Sequence, residues 1–221
     1  MRREWIVVLV FAVTIAIGGY FVLQVGSGAP GTGTAPVERL LPMRNNRYVT
    51  DGWRHQGPGG FTLDSTTGVL KSYGGMGLLW YAVKQYGDFT VDLDFKCTDS
   101  STNSGVFLRV PGEPTSDEYI YHSFEIQIAD AGSEGIHRTG AVYDAQAPSD
   151  TASRLPGEWN HFTITFRGSH ITVELNGKKV IDWAAEPRGK VRDFAPRGYF
   201  GLQNHEPNPV EFRNIVVREL R

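Results

Sequence analysis

Along most of the chain beyond residue 60, apolar and polar side chains alternate with a period of two, the pattern of a strand with one buried and one open face. In 88–96 (DFTVDLDFK), Phe89, Val91, Leu93 and Phe95 alternate with Thr90, Asp92 and Asp94. The same pattern predicts strands in 102–110, 119–130, 138–144, 158–167, 198–205 and 210–219. Runs at 171–175 and 179–183 flank Asn176-Gly177, the pair favoured where both hairpin-turn positions need positive φ. Shorter apolar pieces at 60–64, 68–72 and 77–83, set apart by Gly and Thr, read as a meander. No useful length after residue 25 keeps a helical period. Many short strands at this spacing predict an all-β fold, a β-sandwich of jelly-roll type.

Three of these strands carry unusual polar residues. In 119–130 (YIYHSFEIQIAD), Phe124, Ile126 and Ile128 take one face and Glu125 and Gln127 the other. In 101–110 (STNSGVFLRV), Val106, Leu108 and Val110 alternate with Asn103 and Arg109, and in 199–205 (YFGLQNH), Phe200 and Leu202 alternate with Gln203 and His205. If the three strands are neighbours in one sheet, Asn103, Arg109, Glu125, Gln127, Gln203 and His205 share a surface. Acid, base and hydrogen-bonding groups beside aromatics make the floor of a carbohydrate cleft. Each residue also has a plain structural reading: Glu125 and Arg109 as an ion pair, the two glutamines as a cross-strand amide pair, His205 as a solvated loop residue.

The N-terminal segment is of another kind. Arg2 and Arg3 precede a charge-free run over 5–25, about long enough to cross a bilayer at ~20 residues. The expectation is one N-terminal transmembrane helix with the rest of the chain exported; the alternative is a signal peptide cleaved near Gly26 to Ala29. Residues 26–45 open with GSGAPGTGTAP and read as a Gly/Pro/Thr linker, and 46–221 as the folded domain, membrane-anchored or secreted on the extracytoplasmic side. A net charge of -2 over 221 residues argues against nucleic acid. The single Cys97 forms no internal disulfide, Asp92 and Asp94 lack a calcium loop, and the histidines show no metal-ligand spacing. No cofactor is certain on this reading; a divalent cation gathered from separate strands stays compatible with it.

The ordered motifs NSGVFLRV, FEIQIAD, RTGAVYD, GEWNHFTITFRG, VELNGKKV, GLQNH and FRNIVV resemble the bacterial 3-keto-disaccharide hydrolase family over most of 88–220. Residues 37–85 match less closely, the opening motif being reduced to DGWRHQG. The resemblance implies a concanavalin-like jelly-roll sandwich acting on glycosides whose sugar carries a ketone at carbon 3. Such a ketone acidifies the proton on carbon 2, so that a base can remove it and the enolate can expel the group on carbon 1. The chemistry needs a base, a donor to the enolate oxygen and a proton source for the departing oxygen. Glu125 and His205 are the candidates for base and acid, in either order, and Arg109 is the fixed cation for the oxyanion. Asn103, Gln127, Tyr143 and Gln203 would bond sugar hydroxyls, with Trp80 or Tyr81 stacking on the ring. The expected partners are a carbohydrate, and the membrane through residues 5–25. Two other readings use the same sandwich: a laminarinase-type retaining glycosidase built on Glu125, Gln127 and Asp130, and a carbohydrate-binding module without catalysis.

Overall fold

The alternation over 88–96 is realised as a strand, Phe89–Cys97, whose apolar residues are buried and whose polar residues are half-buried. The structure, a computed structural model, describes residues 36–131 and 135–221. The expected membrane helix or signal peptide over 1–25, and the first half of the expected linker, 26–35, lie outside the described residues. Among the described residues no helix is long and apolar enough to cross a membrane.

In chain order the described strands are β1 (Val37–Arg39), β2 (Met43–Arg44), β3 (Arg47–Tyr48), β4 (Trp53–Gln56), β5 (Gly60–Asp64), β6 (Val69–Tyr73), β7 (Gly77–Tyr81) and β8 (Phe89–Cys97). They continue with β9 (Ser104–Val110), β10 (Phe124–Ile128), β11 (Asn160–Arg167), β12 (His170–Leu175), β13 (Lys178–Ala184), β14 (Tyr199–Asn204) and β15 (Val210–Glu219). The larger sheet has the order β13-β12-β11-β8-β15-β6-β5, with β1 added along β15; the smaller runs β10-β9-β14-β7-β4. All pairings are antiparallel. Asn176 and Gly177, at φ 53° and 79°, make the β12–β13 turn that the sequence predicts.

One core lies between the sheets. Phe89, Val91, Leu93 and Phe95 of β8 and Phe162, Ile164 and Phe166 of β11 meet Val106 and Leu108 of β9, Phe124, Ile126 and Ile128 of β10, and Phe200 and Leu202 of β14. Phe95 stacks on Phe162 at 4.7 Å between ring centres, and Phe124 meets Phe166 edge-on at 5.5 Å. Truncating any such phenylalanine to alanine costs about 3–5 kcal/mol. Leu40 and Leu41, within the stretch expected to be linker, are buried in this core.

Two expected strands take other forms. Residues 119–121 belong to a 3-10 turn, Asp117–Tyr121, and β10 starts only at Phe124. The expected strand over 138–144 is an irregular segment along the open edge of β10, where Gln127 N donates to Ala141 O, Gly140 N to Gln127 O and Tyr143 N to Glu125 O, each at 2.9 Å. Positive φ at Gly140 and Asp144 interrupts the strand repeat there. The polar face of β8 is laced by hydrogen bonds and ion pairs. Burial pushes Asp94 up, but hydrogen bonds from His161, Asn214 and Arg213 outweigh it and hold the carboxyl below its ordinary value; Asp92 takes Thr163 and Arg218.

Candidate active site

The strand order β10-β9-β14 puts the three unusual strands side by side, and the register aligns their polar positions. Gln127 stands opposite Gly105 and Glu125 opposite Phe107. On the other side of β9, Leu202 pairs with Val106, which sets Gln203 beside Gly105, and Ser104 Oγ donates to Gln203 O at 2.7 Å. The outer face of the smaller sheet therefore presents Gln127, Gly105 and Gln203 in a row, with Glu125 one row along. This row is the floor of a cleft of about 440 Å³ whose walls include Asn103, Tyr143, His205, His137 and Lys190.

Glu125 is the most perturbed group in the cleft. It is 8% exposed, and burial pushes its carboxyl up to about 8, with Lys190 pulling the other way. Its side chain lies across Gly105, where any Cβ would overlap the carboxyl group; the glycine of NSGVFLRV is needed for that close approach. The Gln127 amide satisfies both its ends when its nitrogen donates to Ser104 O at 2.9 Å and to Glu125 Oε1 at 3.2 Å, and Asn103 lies on its other side.

His205 follows the end of β14, and its Nδ1 donates to Glu206 O at 2.6 Å. A carbonyl only accepts, so Nδ1 carries the proton and a neutral ring presents the Nε2 lone pair. Its neighbour Asn204 is fully buried. Asn204 Nδ2 donates to Pro58 O, Gly74 O and Gly75 O, and its Oδ1 accepts from His55 Nε2 at 2.8 Å. This one amide fixes two loops against β14 at the point where the chain delivers His205. On the opposite wall, Tyr143 packs tilted against His137, ring centres 4.9 Å apart, while His137 Nε2 lies 3.2 Å from Asp144 Oδ1. Lys190 Nζ lies 4.9 Å over the Tyr143 ring and donates to its hydroxyl at 3.4 Å. Among the described residues no group of three or more His, Cys, Asp or Glu is placed to hold a metal ion.

Residues 44–218 match the 3-keto-alpha-glucoside-1,2-lyase-like domain family. The chain belongs to that family. It is 30% identical to a protein of Parabacteroides distasonis ATCC 8503 provisionally named a glycosyl hydrolase, with a TM-score of 0.69, covering 84% of this chain and 100% of that one. A second protein of that organism, similarly named, is 22% identical at a TM-score of 0.70, over 84% of this chain and 94% of its own. A Bacillus subtilis protein with a galectin-like fold, 15% identical over 76% of this chain and 89% of its own, superposes with a TM-score of 0.56 and shows the sandwich alone. Among the curated proteins none matches.

Six of the seven expected site residues of this family member line the cleft: Asn103, Glu125, Gln127, Tyr143, Gln203 and His205. Arg109 does not. Between Phe107 and Val110 the pairing with β14 slips by one residue, and Arg109, at φ 56°, takes a left-handed conformation. The bulge turns Val110 to the outer face beside Phe107 and sends Arg109 inward. There it is 1% exposed, with its guanidinium 3.6 Å from the centre of the Phe166 ring. It donates to Gly87 O at 2.9 Å and Gly168 O at 2.9 Å and pairs with Asp88 at 3.2 Å. Arg109 is thus a structural staple between the sheets, and its carboxylate partner is Asp88 rather than Glu125. Neither aromatic expected to stack on sugar reaches the cleft, since Tyr81 sits in the main core and Trp80 in a second apolar cluster with Leu78, Phe107, Val110 and Tyr119. Asp130 lines a separate cavity with Cys97 and Arg138, so the carboxylate pair of a laminarinase-type site is not assembled. Lys190, His137 and Glu206 were not singled out by the sequence pattern. They come from loops without periodicity, and nothing but the path of the folded chain brings them to the cleft.

Proposed function

We propose that this protein cleaves glycosides whose sugar carries a ketone at carbon 3, by removal of the carbon-2 proton and elimination, with water addition giving net hydrolysis. The observation that carries the reading is the opposition, within one cleft, of a desolvated carboxyl and a histidine with a defined lone pair. At neutral pH a carboxyl with a pKa of about 8 is largely protonated, which suits Glu125 to the acid, and the Nε2 of His205 to the base. His205 takes the carbon-2 proton, and the C–H electron pair becomes the enolate of carbons 2 and 3. The ketone reforms as the carbon 1–carbon 2 double bond closes and the bond from carbon 1 to the leaving oxygen breaks. That oxygen takes the Glu125 proton. Water then adds at carbon 1 while Glu125 regains a proton, and carbon 2 is reprotonated by His205, so the sum is hydrolysis. Asn103, Gln127, Tyr143 and Gln203 bond the sugar hydroxyls in this scheme. The family membership and the name given to the Parabacteroides distasonis protein support a carbohydrate substrate. The charge-free run over 5–25 behind Arg2 and Arg3 supports a domain held or released outside the cytoplasm.

The test is incubation of the full-length protein with a 3-keto glucoside and with its unoxidised parent, with and without a chelator, following aglycone release. Release from the keto substrate alone, lost in Glu125→Gln and in His205→Ala, is the expected outcome. Release from the parent would point to an ordinary glycosidase. Binding of the keto sugar with no release from either substrate would leave a carbohydrate-binding module and refute the enzyme.

A further inference from the structure

With Arg109 turned into the core, the elimination scheme lacks a group to hold the enolate oxygen. We propose that Lys190 is that group, a catalytic residue whose ammonium stabilises the negative charge on the carbon-3 oxygen; the inference rests on the elimination reading above. Among the described residues lining the cleft, Lys190 is the one lysine or arginine. The other basic side chains there are committed: His137 to Asp144, and the Nδ1 of His205 to Glu206 O, which leaves only the Nε2 needed for the base. An ammonium has three donors, and Lys190 uses one on the Tyr143 hydroxyl at 3.4 Å, so two remain for the substrate.

Although the Lys190 side chain is exposed, its backbone is held by its surroundings. Its stem rises from a tight turn in which Arg188 bridges Val191 and Val191 N donates to Arg188 O at 3.0 Å. Gly189, at φ 58°, packs so closely on Asp144 that no side chain fits there. Val191 is buried in the core, and Arg192 N donates to Tyr121 O at 2.9 Å. The Tyr143 ring then sets the head of the lysine, and Tyr143 is itself fixed by its N–H on Glu125 O at 2.9 Å. Acid and cation are thereby referred to one strand edge, that of β10. The Lys190 charge also acts on Glu125, opposing the upward push of burial. A fixed charge aimed at an oxygen that becomes negative only on the way to the enolate stabilises the transition state more than the ground state.

The experiment uses the full-length protein and the variants Lys190→Met and Lys190→Arg, with two probes. The first is cleavage of a 3-keto glucoside; the second is solvent deuterium exchange at carbon 2 of a 3-keto C-glycoside, whose carbon-linked group does not leave. Removing one oxyanion donor lowers kcat by about 100–1,000-fold. We expect Lys190→Met to lose that much in kcat and, in parallel, in exchange rate, with KM changed by less than about 3-fold, and Lys190→Arg to recover part of both. A Lys190→Met variant that exchanges and cleaves like the wild type overturns the inference while leaving the elimination reading intact, as does one that loses KM alone. A wild-type protein that neither exchanges nor cleaves overturns both.

Discussion

Replacing Glu125 by glutamine has two opposite consequences, and their combination is diagnostic. The carboxyl ordinarily ionises near 4.5 and in the folded protein near 8. Between those values the unfolded chain releases a proton that the folded chain retains. The group therefore costs no stability below about pH 4.5, costs progressively more up to about pH 8, and costs a constant amount above it. The full shift corresponds to about 5 kcal/mol at ~1.36 kcal/mol per pKa unit. Water reaching the carboxyl through the open cleft relaxes part of that, and we take about 2–3 kcal/mol. For a domain of this size, at roughly 2–4 °C per kcal/mol, the variant melts about 4–12 °C above the wild type at pH 8–9 and close to it near pH 4.5. Over the same range it releases no aglycone, because the amide has no proton to deliver. Differential scanning calorimetry at four or five pH values, paired with the release assay, measures both. A Tm difference independent of pH, or a variant less stable than the wild type at pH 9, would refute the claim that Glu125 is desolvated in the folded state.

Arg109→Met should act on the fold and leave the chemistry alone. It strips donors from two carbonyls and a carboxylate, at a cost of about 3 kcal/mol, a melting temperature lower by roughly 6–12 °C and unchanged kcat and KM below the transition; unaltered Tm with lost activity would return Arg109 to the substrate. Gly105→Ala should displace the Glu125 side chain that lies across it, costing about 1–3 kcal/mol of overpacking; aglycone release falls although no reacting group has been removed, and wild-type turnover would show that Glu125 need not lie where it does. Asn204→Ala leaves three loop carbonyls without their shared donor, and we expect a loss of about 1–3 kcal/mol, read as faster amide exchange in 57–59 and 74–76 than elsewhere.

How much of this was legible follows from where the two-residue period holds. It holds without interruption through Phe124–Ile128 and through Tyr199–Asn204, so the faces of Glu125, Gln127 and Gln203 could be read directly, and the assumption that the strands are neighbours did the rest. In β9 it holds from Ser104 to Leu108 and then fails. Arg109 is not a glycine, and nothing in FLRV signals a left-handed residue, so parity placed it on the outer face when the bulge turns it inward. Trp80 lies on the outer face, opposite Gly201, but it is covered by the turn Asp117–Tyr121, a cover with no signature of its own. Lys190 and His137 show the opposite limit: a lone basic residue in a loop has no period to read, and its meeting with Glu125 depends on contacts far apart in sequence.

The covered and open halves of the smaller sheet's outer face belong to one device. The row Gln127, Gly105, Gln203 is small and polar and stays open to the cleft, whereas Phe107, Trp80 and Leu78 would form an exposed apolar patch if left bare. The turn Asp117–Tyr121 closes that patch, setting Tyr119 edge-on to Phe107 at 5.1 Å and Ile120 at the cleft wall. Glu125 stands directly opposite Phe107 in the register, at the boundary between the halves. It meets the covered apolar patch on one side and the cleft on the other. The nearness is mutual, since burial chiefly raises the Tyr119 phenol and the charges of Asp117 and then Glu125 add to it. The carboxyl is thus kept protonated at neutral pH by the cover as well as by its own strand. An acid with a raised pKa on the floor of a wet cleft needs a dry neighbour, and here that neighbour is a short turn whose main work is to hide a tryptophan and a phenylalanine.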